Sequence, residues 1–578
     1  MTDFSNKVVY QIYPKSFRDT NGDGLGDIQG VIRKLDYLQG LGVDYLWLTP
    51  FFPSPQKDNG YDVADYCAID PKFGTMQDLE ELIRQSKERG MGIMLDMVFN
   101  HTSTCHEWFQ RALAGEEKYQ KYYIFRDGTP DCAPTNWQSK FGGTAWEYVP
   151  GLKKWYLRLY DVTQADLNWD NPKVREELKG ILRFWKEKGI RAFRFDVINL
   201  VSKPEKMEDD FEGDGRRFYS DGPHIHEYLK ELVKGAGIED FVTVGEMSST
   251  SLEHCIRYSA PKEKELSMCF NFHHLKVDYK DGDKWALMDT DYRKLKELFM
   301  EWQMGMQEGG GWNALFWCNH DQPRIVSRLG DEHAYWKESA KMLAGMIHFM
   351  RGTPYIYQGE EIGMLNAHYP SIDQYRDVES RNYYQILLEK GSTKEEALKV
   401  LEARSRDNSR TPMQWDATRY GGFSRTEPWL PMSAGFRKEI TVEAQEEDRD
   451  SILAFYKKLI AMRKEYPVIA KGEISFLETR RDRVLAYQRK LGEQELAVFC
   501  NLDGKEQSVE MDEAWSRCSV LLGNYSLPGE SCLSQRKADC RMSCVYDESS
   551  GAWGMVSEEN RYTMKPYEII VLGKNLTI

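Results

Sequence analysis

Eight short apolar segments alternate with amphipathic ones along the chain, and most of the apolar segments end in polar or ionisable residues. Together these observations predict an α/β fold, a (β/α)8 TIM barrel whose working face lies at the strand tips. The eight segments are VVYQIYP (8–14), VDYLWLTP (43–50), GIMLDMVFNH (92–101), IRAFRFDV (190–197), DFVTVGEM (240–247), SMCFNFHH (267–274), NALFWCNHD (313–321) and GTPYIYQGEE (352–361). Between the first two, DIQGVIRKLDYLQGLG sets Ile28, Val31, Leu35, Leu38 and Leu41 on one helical face. TMQDLEELIRQSKERG and KVREELKGILRFWKEKG repeat the type, each closing on a glycine stop signal. The strand tips carry Asn100 and His101, Arg194 and Asp196, Glu246, His273 and His274, His320 and Asp321, and Glu360 and Glu361. One or two such residues would be ordinary caps, whereas a succession of them points to a site built at the C-terminal ends of the strands.

Two connections are too long for the repeat. Residues 101–170, rich in Trp, Gly, Pro and Tyr, follow the third strand and are expected to form an inserted subdomain. Residues 362–447 follow the eighth strand, and long loops on the catalytic face commonly carry function. Beyond residue 468, RVLAYQRKL, ELAVFCNL and YEIIVLG alternate with no helix between them, which predicts a C-terminal antiparallel β-sandwich whose role is mainly stability. The expected division is 1–100 for the first part of the barrel, 101–170 for the insert, 171–467 for the second part of the barrel and 468–578 for the sandwich.

With 578 residues, 41% of them hydrophobic and 29% charged, the chain can bury a large core. Its net charge of −14 argues against nucleic acid and anionic membrane surfaces as partners, and an anionic substrate would need a local basic pocket. The N-terminus lacks an apolar leader, and no run approaches the roughly 18 residues of a spanning helix. The 11 cysteines are odd in number and form no CxxC pair, as expected of reduced thiols in a cytoplasmic protein. Sixteen Trp and 32 Tyr offer flat faces suited to sugar rings as well as to the core. A small-molecule partner is expected, bound by a monomer or weak homo-oligomer.

The stretch DTNGDGLGD (19–27) has carboxylate or carboxamide side chains at Asp19, Asn21, Asp23 and Asp27, the alternating ligand spacing of a calcium loop. An EF-hand sensor is excluded, because the twelfth position counted from Asp19 is Gly30 rather than Glu and a strand precedes the loop. An ion clip completed by the Leu25 carbonyl and a metal-free polar turn both remain compatible with the spacing.

Three carboxylates, Asp196, Glu246 and Asp321, end the fourth, fifth and seventh strands. Retaining glycoside cleavage needs a carboxylate nucleophile and a protonated carboxylic acid about 5–5.5 Å apart, and adjacent strands lie about 4.8 Å apart. Arg194, two residues before Asp196, points the same way and favours its ionised form. The acid needs a raised pKa, which neighbouring carboxylates supply.

In order, DMVFNH, FRFDVINL, GEM and NHD resemble the signature segments of the α-amylase superfamily of retaining α-glycosidases, glycoside hydrolase family 13. QADLN (164–168), GTPYIYQGEEIGM and SRDNSRTPMQWD resemble its oligo-1,6-glucosidase branch, and the resemblance runs to about residue 470. It implies that Asp196 is the nucleophile, Glu246 the general acid/base and Asp321 the carboxylate that holds sugar hydroxyls. Arg194, His101 and His320 match residues around the reacting glucose, and Asp58 and Tyr61 match the pair that grips and stacks on it. Arg410, in preference to Arg406, is expected to reach the same glucose. The 19–27 loop matches the branch's metal loop. The implied cofactor is one structural divalent cation, Ca²⁺ in preference to Mg²⁺ with both open, held by Asp19, Asn21, Asp23, Leu25 and Asp27, with no organic cofactor.

DVTQADLNW, TVGEMSSTS, FNFHHLKVDY and GGGWNALFWCNHDQPR are most similar to branch members that cleave a phosphorylated disaccharide, trehalose 6-phosphate. Neutral isomalto- or malto-oligosaccharides are the alternative substrates, and a non-catalytic sugar-binding role is a remote one. The phosphate would need cations on the aglycone side, where the segment HHLKVDYKDGDKW supplies Lys276 and Lys284, with Lys203 and Arg324 as further candidates.

Overall fold

The computed structural model describes residues 3–516, 518–525, 543–547, 552–556 and 561–576. Its centre is one sheet of eight parallel strands: β1 (Val9–Ile12), β2 (Tyr45–Leu48), β3 (Gly92–Met97), β4 (Ala192–Phe195), β5 (Val242–Glu246), β6 (Met268–Phe270), β7 (Ala314–Leu315) and β8 (Thr353–Tyr357). The strands run in the order β6-β5-β4-β3-β2-β1-β8-β7. A parallel bridge between Cys269 and Asn313 brings β6 against β7 and closes the barrel. The register sets the active face: Asp96 pairs with Arg194, and Phe195 pairs with Gly245, so Asp196 and Glu246 emerge side by side.

The helices follow the apolar pattern, with local differences. The predicted first helix is two, Ile28–Ile32 and Leu35–Leu41, interrupted at Arg33 and Lys34, yet Ile28, Val31, Leu35, Leu38 and Leu41 are all buried. Asp27 caps the first, and Gly42, at φ 95°, ends the second in the left-handed region that favours glycine. Met76–Glu88 starts from a capping box between Thr75 and Asp78. Pro172–Glu187 starts with Pro at its first turn, behind an Asn171 cap. Strand β7 is far shorter than the apolar run suggested, because the chain from Phe316 to Asp321 leaves the ladder to form the active face.

After β3, His101–Ser103 pairs antiparallel with Gln164–Asp166, and Phe125–Asp127, Lys154–Leu157 and Trp146–Val149 form a three-stranded sheet over a core containing Trp137, Trp146 and Trp155. After β8, helices Val378–Glu389, Lys394–Arg404 and Asp407–Arg410 carry cationic side chains back over the barrel mouth. At the C-terminal end, a seven-stranded sheet containing Val484–Leu491, Gln494–Asn501 and Ile569–Lys574 is antiparallel throughout its described pairings. It is fastened to the barrel by buried Arg489, which donates to the carbonyls of Phe349, Ile469 and Gly472 at 2.5–2.8 Å, and by Tyr487, which donates to Met346 O at 2.6 Å. Among the described residues no helix is long and apolar enough to cross a membrane.

Candidate active site

A cleft of about 380 Å³ opens over the strand tips, lined by Asp58, Tyr61, His101, Asp196, Glu246, Asp321 and Arg406 and, further out, by Lys140, Arg216, Lys276 and Lys284. At its floor Arg194, 1% exposed, gathers three carboxylates. Its Nη1 donates to Asp96 Oδ1 and Asp196 Oδ1, both at 2.6 Å, and its Nη2 donates to Glu246. Asp96 Oδ2 is in turn held by Trp47 Nε1 at 3.0 Å and by the Tyr61 hydroxyl at 2.9 Å. The guanidinium is thereby locked in place, and its charge offsets part of the mutual repulsion of the acids.

The three reacting carboxylates have different proton affinities. Burial chiefly pushes Glu246 up to about 8, with Asp196 and Asp321 adding to the shift and Arg194 opposing it. Burial also raises Asp196, to about 7, with Arg194 pulling it back against Asp96 and Asp321. Asp196 and Glu246 are both bound by Arg194, and the nearby Asp196 charge is one of the causes that raise Glu246. The raised Asp196 differs from the expectation of an Asp196 held low by Arg194, because burial outweighs one guanidinium divided among three acids. At Asp321 burial is itself outweighed: His320, Arg406 and Arg410 hold it well below the usual carboxylate range.

The walls are built from buried polar side chains. Gln11 Nε2 meets His320 Nδ1 at 2.8 Å, which directs His320 Nε2 toward Asp321, 3.5 Å away. Tyr61 stacks on His320 with ring centres 5.0 Å apart. His101 Nε2 lies 3.2 Å from the Tyr61 carbonyl. Burial pushes His101 down to about 4 and His320 to about 3, so both imidazoles are neutral near pH 7. Asp58 accepts from Arg406 Nη2 at 2.9 Å and from Gln164 Nε2 at 3.0 Å.

The structure redistributes several expected roles. Arg406, not Arg410, lines the cleft, clasped by Asp58 and by Asp377. Arg410 is completely buried, donating to the His320 carbonyl at 2.8 Å and to Asp321 at 2.7 Å, so it orients the carboxylate from behind. Lys203 is removed from the phosphate candidates. It is buried away from the cleft, bound to Asp166 at 2.8 Å, Asn100 at 2.9 Å and the Leu200 carbonyl at 2.6 Å. Arg324 is removed for the same reason, its guanidinium being spent on the carbonyls of Gln358 and Ser409. His274 bonds the Phe316 carbonyl, and Glu360 and Glu361 are held by Tyr456, Tyr10 and Tyr37, so these strand tips brace the barrel and do not reach the cleft.

Lys276 and Lys284 do line the cleft, Lys284 paired with Glu379 at 2.7 Å. Two cations escaped the sequence reading. Lys140, from the insert, donates to Ser248 Oγ at 3.1 Å, and Arg216, from the loop after β4, chelates Asp214. Burial, with repulsion from Arg216 and Lys276, pushes the Lys140 ammonium down to about 7. Asp96 was overlooked too, although a lone carboxylate inside GIMLDMVF was its signal. Gln164 and Asp377 gave none, since only the folded loops bring them to Asp58 and Arg406.

A parallel eight-stranded barrel with an insert after β3 and three carboxylates beyond β4, β5 and β7, two of them joined by Arg194 and the third held by Arg410, defines a glycoside hydrolase site. The model of the alpha-amylase catalytic domain matches residues 11–472, and the chain belongs to that family. Within it, the chain is 51% identical over 524 residues to trehalose-6-phosphate hydrolase of Bacillus subtilis strain 168, covering 89% of this chain and 93% of the relative. It is 52% identical over 523 residues to the enzyme of the same name from Escherichia coli K12, covering 90% and 95%. The crystal structure of trehalose-6-phosphate hydrolase from Bacillus licheniformis superposes with a TM-score of 0.89 at 48% identity, covering the whole of both chains.

Proposed function

We propose that the protein is a retaining α-glucosidase that hydrolyses trehalose 6-phosphate to glucose and glucose 6-phosphate. The observation that carries this reading is the cleft itself, with a carboxylate trio at its floor and four basic side chains, Lys140, Arg216, Lys276 and Lys284, along its outer wall. The similarity to two trehalose-6-phosphate hydrolases over about nine-tenths of the chain supports the same substrate.

In this reading Asp196 attacks the anomeric carbon of the glucose while Glu246 gives its proton to the bridging oxygen, and glucose 6-phosphate leaves. Glu246, now a carboxylate, takes a proton from water, whose oxygen displaces Asp196 from the same carbon. Asp196 and Glu246 stand at the tips of adjacent strands and share the Arg194 guanidinium, a juxtaposition that supports the close carboxyl pair of a retaining enzyme over the roughly 6.5–9.5 Å of an inverting one. Asp321, His320, His101, Asp58 and Arg406 hold the glucose hydroxyls, and Tyr61 packs on its face.

The outer cations supply the local positive field that a dianionic substrate needs on a chain of net charge −14. A charge-assisted phosphate contact contributes about 1.5–3 kcal/mol, or roughly 10- to 150-fold in affinity. Lys276→Ala and Lys284→Ala should each raise KM for trehalose 6-phosphate by that order and leave an uncharged aryl α-glucoside nearly unaffected. Equal losses on both substrates would assign these lysines to the glucose site or to the fold. The test of the substrate itself is kcat/KM for trehalose 6-phosphate beside that for isomaltose: a preference for isomaltose would favour the neutral oligo-1,6-glucosidase reading.

The 19–27 loop is proposed to hold one divalent cation, Ca²⁺ in preference to Mg²⁺, for stability. Its oxygens already brace the loop: Asp19 accepts from the amides of Gly22 and Gly24, Asp23 from Leu25, and Asp27 from Thr20 and Gly30. Among the described residues no three His, Cys, Asp or Glu side chains converge on a metal position. The proposal therefore leans on the Asn21 carboxamide and the Leu25 carbonyl to complete a hard-oxygen set with Asp19, Asp23 and Asp27. Chelation should lower the melting temperature more than it lowers initial activity. An immediate, calcium-reversible loss of activity at an unchanged melting temperature would contradict a structural ion. A cytoplasmic location is proposed as well, supported by the free thiols of the described cysteines.

A further inference from the structure

The side chain of Asn199 is completely buried and outside the cleft, yet it grips the loop that follows Glu246. Its Oδ1 accepts from the Ser248 amide at 2.8 Å, and its Nδ2 donates to the Ser248 carbonyl at 2.9 Å. One carboxamide thus satisfies both backbone groups of a single residue, as a neighbouring strand would. The same Nδ2 donates to Asp221 Oδ1 at 3.0 Å, and that oxygen also accepts from the Tyr258 hydroxyl at 2.7 Å. The Asp221 oxygen that accepts from Tyr258 also faces the Asn199 amide, and this fixes which way round that amide lies. The Asp221 amide donates to the Asn199 carbonyl at 2.9 Å, so the two residues hold each other twice.

Asn199 stands three residues after Asp196, and Ser248 two after Glu246. The segment from Asp196 to Asn199 contains Val197 in the left-handed region at φ 34°, and Ser249, the residue after Ser248, is also there at φ 58°. For a β-branched valine this is a costly conformation, kept only where surrounding contacts enforce it. The Ser248 hydroxyl accepts from Lys140, so the gripped peptide also joins the insert to the cleft wall.

We infer that Asn199, oriented by Asp221 and Tyr258, is a positioning residue that fixes the separation of the Asp196 and Glu246 carboxyls and the aim of Glu246 at the leaving oxygen. The inference rests on the glycosidase reading above and deepens it. Without the grip the Ser248 peptide is free to shift, and a displacement of about 1 Å at a reacting group can cost roughly 100-fold in rate.

The test compares kcat/KM for aryl α-glucosides spanning good to poor leaving groups in wild type, Asn199→Ala and Asp221→Asn, with melting curves for all three. A good leaving group departs without a proton, so a misaimed acid is felt only when the leaving group is poor. Asn199→Ala should lose about 10- to 100-fold on a phenyl α-glucoside and less than about threefold on a 4-nitrophenyl α-glucoside. Asp221→Asn should show the same steepening to a smaller degree. A uniform loss across the series in both variants, or no loss at all, would overturn the inference. Failure of the wild-type protein to cleave any of these glucosides would instead overturn the glycosidase reading beneath it.

Discussion

Asp196→Asn abolishes turnover on every glycoside substrate while the fold survives, with kcat/KM falling by roughly four powers of ten or more. The carboxamide is nearly isosteric with the carboxylate but cannot form the glycosyl ester. The variant does not unfold, because the charge it removes is an expensive one: burial raises Asp196 to about 7 in the folded protein. Arg194 keeps its contacts to Asp96 and Glu246. Retention of even a tenth of wild-type turnover by Asp196→Asn would mean that another group attacks the anomeric carbon.

Glu246→Gln has an effect nearly as large, but one that depends on substrate. Loss of a general acid costs about 100- to 10,000-fold where the leaving group needs a proton, as glucose 6-phosphate does. On a 4-nitrophenyl α-glucoside the first displacement, read as kcat/KM, should fall far less. In the wild type, kcat/KM should decline as pH rises through a value near 8, where Glu246 loses its proton. The same shift has a consequence for stability. A carboxyl raised from 4.5 to about 8 on folding binds its proton more tightly in the folded state. Its contribution to stability is therefore full below about pH 4.5 and lost as pH rises toward 8. Glutamine removes that loss, so Glu246→Gln should melt above wild type at pH 8 and close to it at pH 4.5. A variant that melts lower at pH 8 would mean that the Arg194 contact outweighs the burial of the charge.

Much of this was legible because barrel strands advertise themselves twice. The apolar runs mark the ladder, and a polar residue at the tip marks the open face, so Asp196, Glu246 and Asp321 could be named with their strands. The same rule misled at Glu360, Glu361 and His274, where tyrosines or a carbonyl waited behind the barrel to receive the polar group. Sequence distance hid the rest. Arg406 precedes and Arg410 ends one short helix, and only the packing of that turn decides that one lines the cleft and the other the back of Asp321. Lys140 lies in a loop and Arg216 on a single helical turn, Arg216–Tyr219, too short for periodicity, and no local pattern states that an insert after β3 will meet the loop after β5 through Ser248. Lys203 and Arg324 looked available because they stand near strand tips, whereas each is buried among carbonyl or carboxylate oxygens that the linear chain does not reveal.

The most direct test is time-resolved proton NMR of trehalose 6-phosphate mixed with the purified protein, following the anomeric signals before mutarotation. The account predicts that glucose and glucose 6-phosphate appear together and that the glucose is first seen as the α-anomer, because two displacements restore the configuration. Glucose appearing first as the β-anomer, or trehalose 6-phosphate persisting while isomaltose is consumed, would contradict it.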